Sequence, residues 1–148
     1  MNEHWDIFDK IMTLPGLRLL EPLYRRYKQP LLYLFFGVLT TALNLFVFWL
    51  CAKALPPLWA NAAAWVAGVV FAYVTNRVWV FQSRSGRVWK EFLSFSAGRL
   101  ATLGIEELML WAGIDLLHLD AMPVKLAAQV LVVIGNYVVS KLFVFRQR

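Results

Sequence analysis

A chain of 148 residues that is 60% hydrophobic and 16% charged carries more apolar side chains than a soluble domain of this size can bury. Seven Trp and eleven Phe point to lipid as the solvent, and the net charge of +6 sits where membrane-flanking cations belong, which argues against a nucleic-acid partner. The single Cys51 excludes an intrachain disulfide and has no base beside it; His4 and His118 lack metal-ligand spacing, so no metal, cofactor or enzymatic chemistry is expected.

In chain order, residues 1–30 are polar and mixed in charge, without the pattern of a cleavable signal. "WDIFDKIM" spaces Trp5, Phe8 and Ile11 or Met12 along one side of a helix, and "LRLLEPLYRRYK" mixes apolar residues with cations. This arm is expected to lie in the cytoplasmic headgroup layer, drawn to anionic membrane lipids.

Four apolar runs follow, at about 31–55, 58–81, 92–117 and 121–145. Each exceeds the ~20 residues a helix needs to cross a ~30 Å hydrocarbon core. Pro56–Pro57 stops the first, "QSRSGRVWKE" separates the second from the third, and "HLDAMP" turns the chain into the fourth. Residues 31–148 are therefore expected to form an all-α integral membrane domain of four transmembrane helices. The third run carries Arg99, Glu106, Glu107 and Asp115, so a helix lying on the membrane surface is the competing reading there.

Twelve of the fifteen Lys and Arg lie in the N-terminal arm, at the end of run two with the loop after it, or at the end of run four. Lys53 and Lys125 fall on the other side. This asymmetry predicts that both termini are cytoplasmic.

Runs two and four end alike, in "NRVWVFQSR" (Asn76–Arg84) and "SKLFVFRQR" (Ser140–Arg148). Tyr73, Arg77 and Phe81 fall at i, i+4 and i+8, as do Tyr137, Lys141 and Phe145, and each set shares a helix face. "GVLTTAL" (Gly37–Leu43) echoes "GRLATLG" (Gly98–Gly104) more loosely. The chain reads as two parallel two-helix repeats.

Small residues mark contact faces between membrane helices. Ala60, Ala64, Gly68 and Ala72 recur at every fourth position and lead to Asn76; Ser94, Gly98 and Thr102 lead to Glu106. Run one contributes Gly37, Thr41 and Asn44, and run four Ala128, Asn136 and Ser140, with Gln129 nearby. At about 1.5 Å per residue, Asn76, Arg77 and Lys141 lie within a turn or two of the cytoplasmic surface and Arg99 about 10 Å deep. Asn44, Glu106 and Asn136 fall near the middle, where a charge costs about 2.5–3.5 kcal/mol and needs a partner, water or a proton. Plainer roles compete: Arg77 and Lys141 suit helix C-termini and can snorkel, Asn44 and Asn136 can bond neighbouring helices, and Glu106 can be neutral. Together these residues make a basic rim leading to a polar midplane, which suits an anionic headgroup.

The stretches "YLFFGVLTTALN", "NAAAWVAGVVFAYVTNRVWVF" and "AAQVLVVIGNYVVSKLFVF", with "FLSFSAGRLATLGIEELML" fitting more loosely, resemble the GtrA-like small four-span membrane proteins over about Tyr33–Phe145. The resemblance implies a part in cell-surface polysaccharide synthesis at the bacterial cytoplasmic membrane. It falls on Gly37, Asn44, Asn61, Asn76, Arg77, Asn136 and Lys141, with Asn61 near the outer surface. The leading expectation is a flippase for a polyprenyl-phosphate-linked sugar: Arg77, Lys141 and Arg99 hold the lipid phosphate, while Asn44, Asn61, Asn76, Asn136 and Glu106 form the polar path. The alternatives are an accessory scaffold for a polyprenyl-phosphate glycosyltransferase and a proton-coupled exporter of small cations, which the excess of cations on the polar face disfavours. A homodimer is expected through the Ala60–Ala72 stripe, which could equally pack within one chain.

Overall fold

The computed structural model describes residues 7–146; Trp5, His4 and Arg148 lie outside them. The chain forms two compact units, Met1–Gln82 and Ser83–Arg148. Every regular element among the described residues is helical, and three stretches, Arg18–Cys51, Trp59–Val80 and Ala121–Val144, are long and apolar enough to cross a membrane. The protein is an all-α membrane protein.

In the first unit α1 spans Ile7–Met12, a 3₁₀ turn follows at Arg18–Leu20, and α2 runs over Glu21–Cys51. The helix thus starts ten residues before the apolar run at Leu31, crossing Pro30. Proline lacks the N–H that would bond four residues back and its ring crowds that turn. The backbone yields at Tyr27 (φ −118°, ψ 27°), a kink rather than a stop. α1 folds back on α2: Phe8 meets Phe35 and Phe36 edge-on at 5.5 and 5.6 Å, and Lys28 Nζ donates to both Asp9 oxygens at 2.9 and 2.8 Å. The arm is therefore tied to the first long helix by an aromatic cluster and an ion pair.

α2 ends at Cys51, where Leu55 N–H closes on the Cys51 carbonyl at 2.8 Å. Lys53 Nζ lies 3.5 Å over the Trp49 ring at this turn. Pro56 is extended (ψ 151°) and α3 covers Pro57–Thr75, with proline at a helix start where no N–H is missed. α3 returns along α2: Gly68 faces Thr40 and Asn44, and Phe36 stacks on Trp79 at 5.6 Å.

In the second unit α4 covers Val88–Leu110, extended by a π turn at Trp111–Leu116, and α5 covers Ala121–Val139. The loop before α4 is fastened by Ser83 Oγ, which donates to the buried Glu91 at 2.7 Å. His118 takes a positive φ of 53° in the turn to α5. The hairpin is antiparallel over its whole length, with Gly98 facing Val139, Thr102 facing Gly135 and Asn136, Glu106 facing Lys125 and Gln129, and Gly113 facing Val124. α4 carries Lys90, Glu91, Arg99, Glu106 and Glu107, is not among the three apolar stretches, and lies alongside α5.

Candidate functional site

The twin endings are one local structure built twice. α3 runs into a π turn at Asn76–Val80 and α5 into one at Ser140–Val144. Phe81 N–H donates to the Asn76 carbonyl at 2.8 Å, and Phe145 N–H to the Ser140 carbonyl at 2.8 Å. The extra residue per turn rotates the last side chains off the ideal i, i+4, i+8 face. In each ending the first residue, the Val and the closing Phe are buried (Asn76, Val80, Phe81; Ser140, Val144, Phe145). The cation one step after the first residue is left further out, Arg77 half-buried and Lys141 exposed. Hydropathy gave no sign of these turns, because one inserted residue changes the register and not the composition.

In the first unit Asn76 donates from Nδ2 to the Ala72 carbonyl at 2.6 Å, and its Oδ1 is buried with no hydrogen-bond partner. A buried acceptor left unmade is costly and marks a place where a donor is missing. Asn44 is half-buried and packs over Gly68, whose absent Cβ would lie 3.6 Å from Asn44 Nδ2. Asn61 is exposed near the start of α3. Ala60, Ala64, Gly68 and Ala72 are all buried within the chain, so the stripe packs internally and is not open to a second copy; a homodimer would need another face. Gly37 was expected to pack closely, but a Cβ there would meet nothing within 4 Å, so packing does not demand glycine at that position.

In the second unit a polar ladder crosses the hairpin. Thr102 Oγ1 donates to Asn136 Oδ1 at 2.8 Å, and both residues are buried. One helical turn further along α4, Glu106 Oε1 accepts from Gln129 Nε2 at 2.6 Å and from Lys125 Nζ. Glu106 is thus not an isolated midplane charge. Its cation comes from Lys125, near the start of α5. Sequence counting placed Lys125 on the far membrane side and overlooked it as a partner. Arg99 is half-buried with its guanidinium 5.1 Å over the Phe95 ring, and Lys141 Nζ lies 5.7 Å over Tyr137. Among the described residues no group of His, Cys, Asp and Glu could hold a metal ion.

The GtrA/DPMS transmembrane domain matches residues 32–145, most of the chain. The protein belongs to this family. Among similar proteins, the cell wall teichoic acid glycosylation protein GtcA of Listeria monocytogenes is 37% identical over 124 residues, covering 78% of this chain and 83% of the relative. Its counterpart in Listeria innocua is 38% identical over 126 residues, covering 80% and 85%. The Bacillus subtilis membrane protein YwcD is 31% identical over 121 residues, covering 78% and 95%.

The GtrA/DPMS match begins just past Pro30, beyond the kink in α2, and ends at Phe145, the residue whose N–H closes the π turn at Ser140–Val144. Both hairpins and, among the described residues, all three π turns therefore fall within the matched region, while α1 lies outside it. Of the residues singled out from sequence, the structure groups Asn76 with Arg77 in one turn and Glu106 with Asn136 along one hairpin seam. Lys125 and Gln129 join that seam, and only the hairpin register brings them there.

Proposed function

We propose that the protein moves a polyprenyl-phosphate-linked sugar across the bacterial cytoplasmic membrane to supply glycosylation of a cell-wall polymer. Four spans, with α4 as the third, and cytoplasmic termini complete this reading. The observation that carries it is the buried, unpartnered Asn76 Oδ1 in the same turn as Arg77. A sugar hydroxyl can donate to such an acceptor while the guanidinium holds the phosphate through charge-assisted bonds. Lys141 offers a second cation in the matching turn of α5. The relatives named for teichoic acid glycosylation support the same polymer class. The chain supplies binding and a path, with the polyprenyl tail left in lipid. Glu106 is committed to Lys125, which removes the open acidic site that a cation exporter needs.

The test places purified protein in liposomes containing a polyprenyl-phosphate sugar whose outer-leaflet fraction is read by an added enzyme. Wild-type protein should speed transbilayer movement, and Arg77→Ala with Lys141→Ala should abolish it without unfolding the protein. Absence of movement in a protein that still binds a glycosyltransferase would assign the accessory role instead.

A further inference from the structure

We infer that Lys125 is a second phosphate site, at the opposite end of α5 from Lys141, where Glu106 positions its ammonium for the headgroup of a polyprenyl-phosphate lipid. This rests on the translocation reading above. Lys125 and Lys141 stand on one helical rod, sixteen residues apart, about 24 Å along its axis. That separation sets the two cations toward opposite ends of a rod long enough to cross a ~30 Å hydrocarbon core. A carrier that loads a phosphate on one side must meet it on the other, and the rod formed by α5 and its closing π turn has a cation toward each end.

The geometry around Lys125 differs from that of a closed ion pair. The Glu106 side chain is 9% exposed and the Lys125 side chain 47%. The carboxylate is buried and fixed, held also by Gln129 at 2.6 Å, while the ammonium reaches it from an open position. Among the described residues Lys125 has no other hydrogen-bond partner, so two of its three N–H donors remain for a ligand oxygen. Glu106 sets where the ammonium stands and lowers its net attraction for a second anion. A phosphate is then held weakly enough to leave, as release from a carrier requires.

The test measures acylation of Lys125 by an amine-reactive reagent in nanodiscs, quantified on the peptide by mass spectrometry. The probes are a short-chain polyprenyl phosphate and, separately, inorganic phosphate. The lipid should slow Lys125 labelling about tenfold, the scale of one charge-assisted bond, and inorganic phosphate at the same concentration should not. Lys125→Arg should keep lipid binding. The charge swap Glu106→Lys with Lys125→Glu should restore thermal stability relative to either single change but leave lipid binding reduced. A swapped protein that binds lipid like wild type would show the pair to be structural and overturn the inference. Unchanged Lys125 labelling, with lipid binding lost on Arg77→Ala and Lys141→Ala, would overturn it while leaving the translocation reading standing. Equal protection by inorganic phosphate would overturn the lipid assignment. Wild-type protein that binds no polyprenyl phosphate would overturn both readings together.

Discussion

The Thr102 hydroxyl donates across the second hairpin to Asn136 Oδ1 at 2.8 Å, although the Gly98 and Arg99 carbonyls of its own helix lie at 3.2 and 3.0 Å. One proton has three acceptors in reach. Only the bond to Asn136 links the two helices, and it is the kind that holds membrane helices together where no hydrophobic effect acts between them. It also places the Glu106 cluster one turn further along the same seam.

Thr102→Val keeps the shape and removes the donor, and Asn136→Leu removes the acceptor. Each should destabilise the protein in detergent, and the double-mutant cycle should give a coupling of about 0.6–1.7 kcal/mol. Additive losses in unfolding measurements would mean that the hydroxyl serves its own helix instead.

Much of the fold was legible in the sequence because its cause is local. The apolar runs, the Pro56–Pro57 stop and the turn around His118 all leave a mark in composition, and the matched endings betray a repeated unit. The start of α2 was not legible, since Pro22, Pro30 and the cations around Arg25 look like a break, whereas the helix absorbs Pro30 by bending at Tyr27. The π turns left no compositional trace. For Glu106 the sequence leaves a partner, water or a proton open, because the choice depends on hairpin register: Lys125 lies nineteen residues away and meets it where Gly113 packs against Val124.

That close approach at Gly113 gives a second prediction. An added Cβ would stand 2.6 and 2.8 Å from the two methyls of Val124, a β-branched side chain with little freedom to turn away. Gly113→Ala should cost about 1–3 kcal/mol of stability. Gly104, in the same helical rod, has nothing within 4 Å of its absent Cβ. Gly104→Ala should therefore be neutral or stabilise by up to about 1 kcal/mol. Thermal unfolding of the two variants in one detergent checks the contrast.

Attachment of α1 should depend on Phe8 more than on Asp9. The Asp9–Lys28 pair is partly exposed, at 25% and 27%, and pairs of that kind contribute about 0–1 kcal/mol. Phe8 makes two edge-on aromatic contacts, each worth about 0.5–1.5 kcal/mol beyond burial. Limited proteolysis between α1 and α2 should accelerate strongly in Phe8→Ala and weakly in Asp9→Asn. Added salt should narrow the difference between Asp9→Asn and wild type.

Asn76 separates function from stability most sharply. Its Nδ2 bonds the Ala72 carbonyl of its own helix, which also accepts the Asn76 backbone N–H, so losing the side chain orphans nothing. The lost bond is further offset by removal of a buried acceptor that had no partner. Asn76→Ala should therefore shift stability by less than about 1 kcal/mol. On the proposed function, sugar translocation in liposomes should nevertheless fall at least tenfold, because the buried acceptor proposed for the sugar hydroxyl is gone. Asn76→Asp keeps the shape but places a carboxylate at a buried membrane position, at a cost of about 2.5–3.5 kcal/mol, so it should lose both properties. If Asn76→Ala instead unfolds at the rate it loses activity, the side chain holds α3 in shape and the sugar contact lies elsewhere.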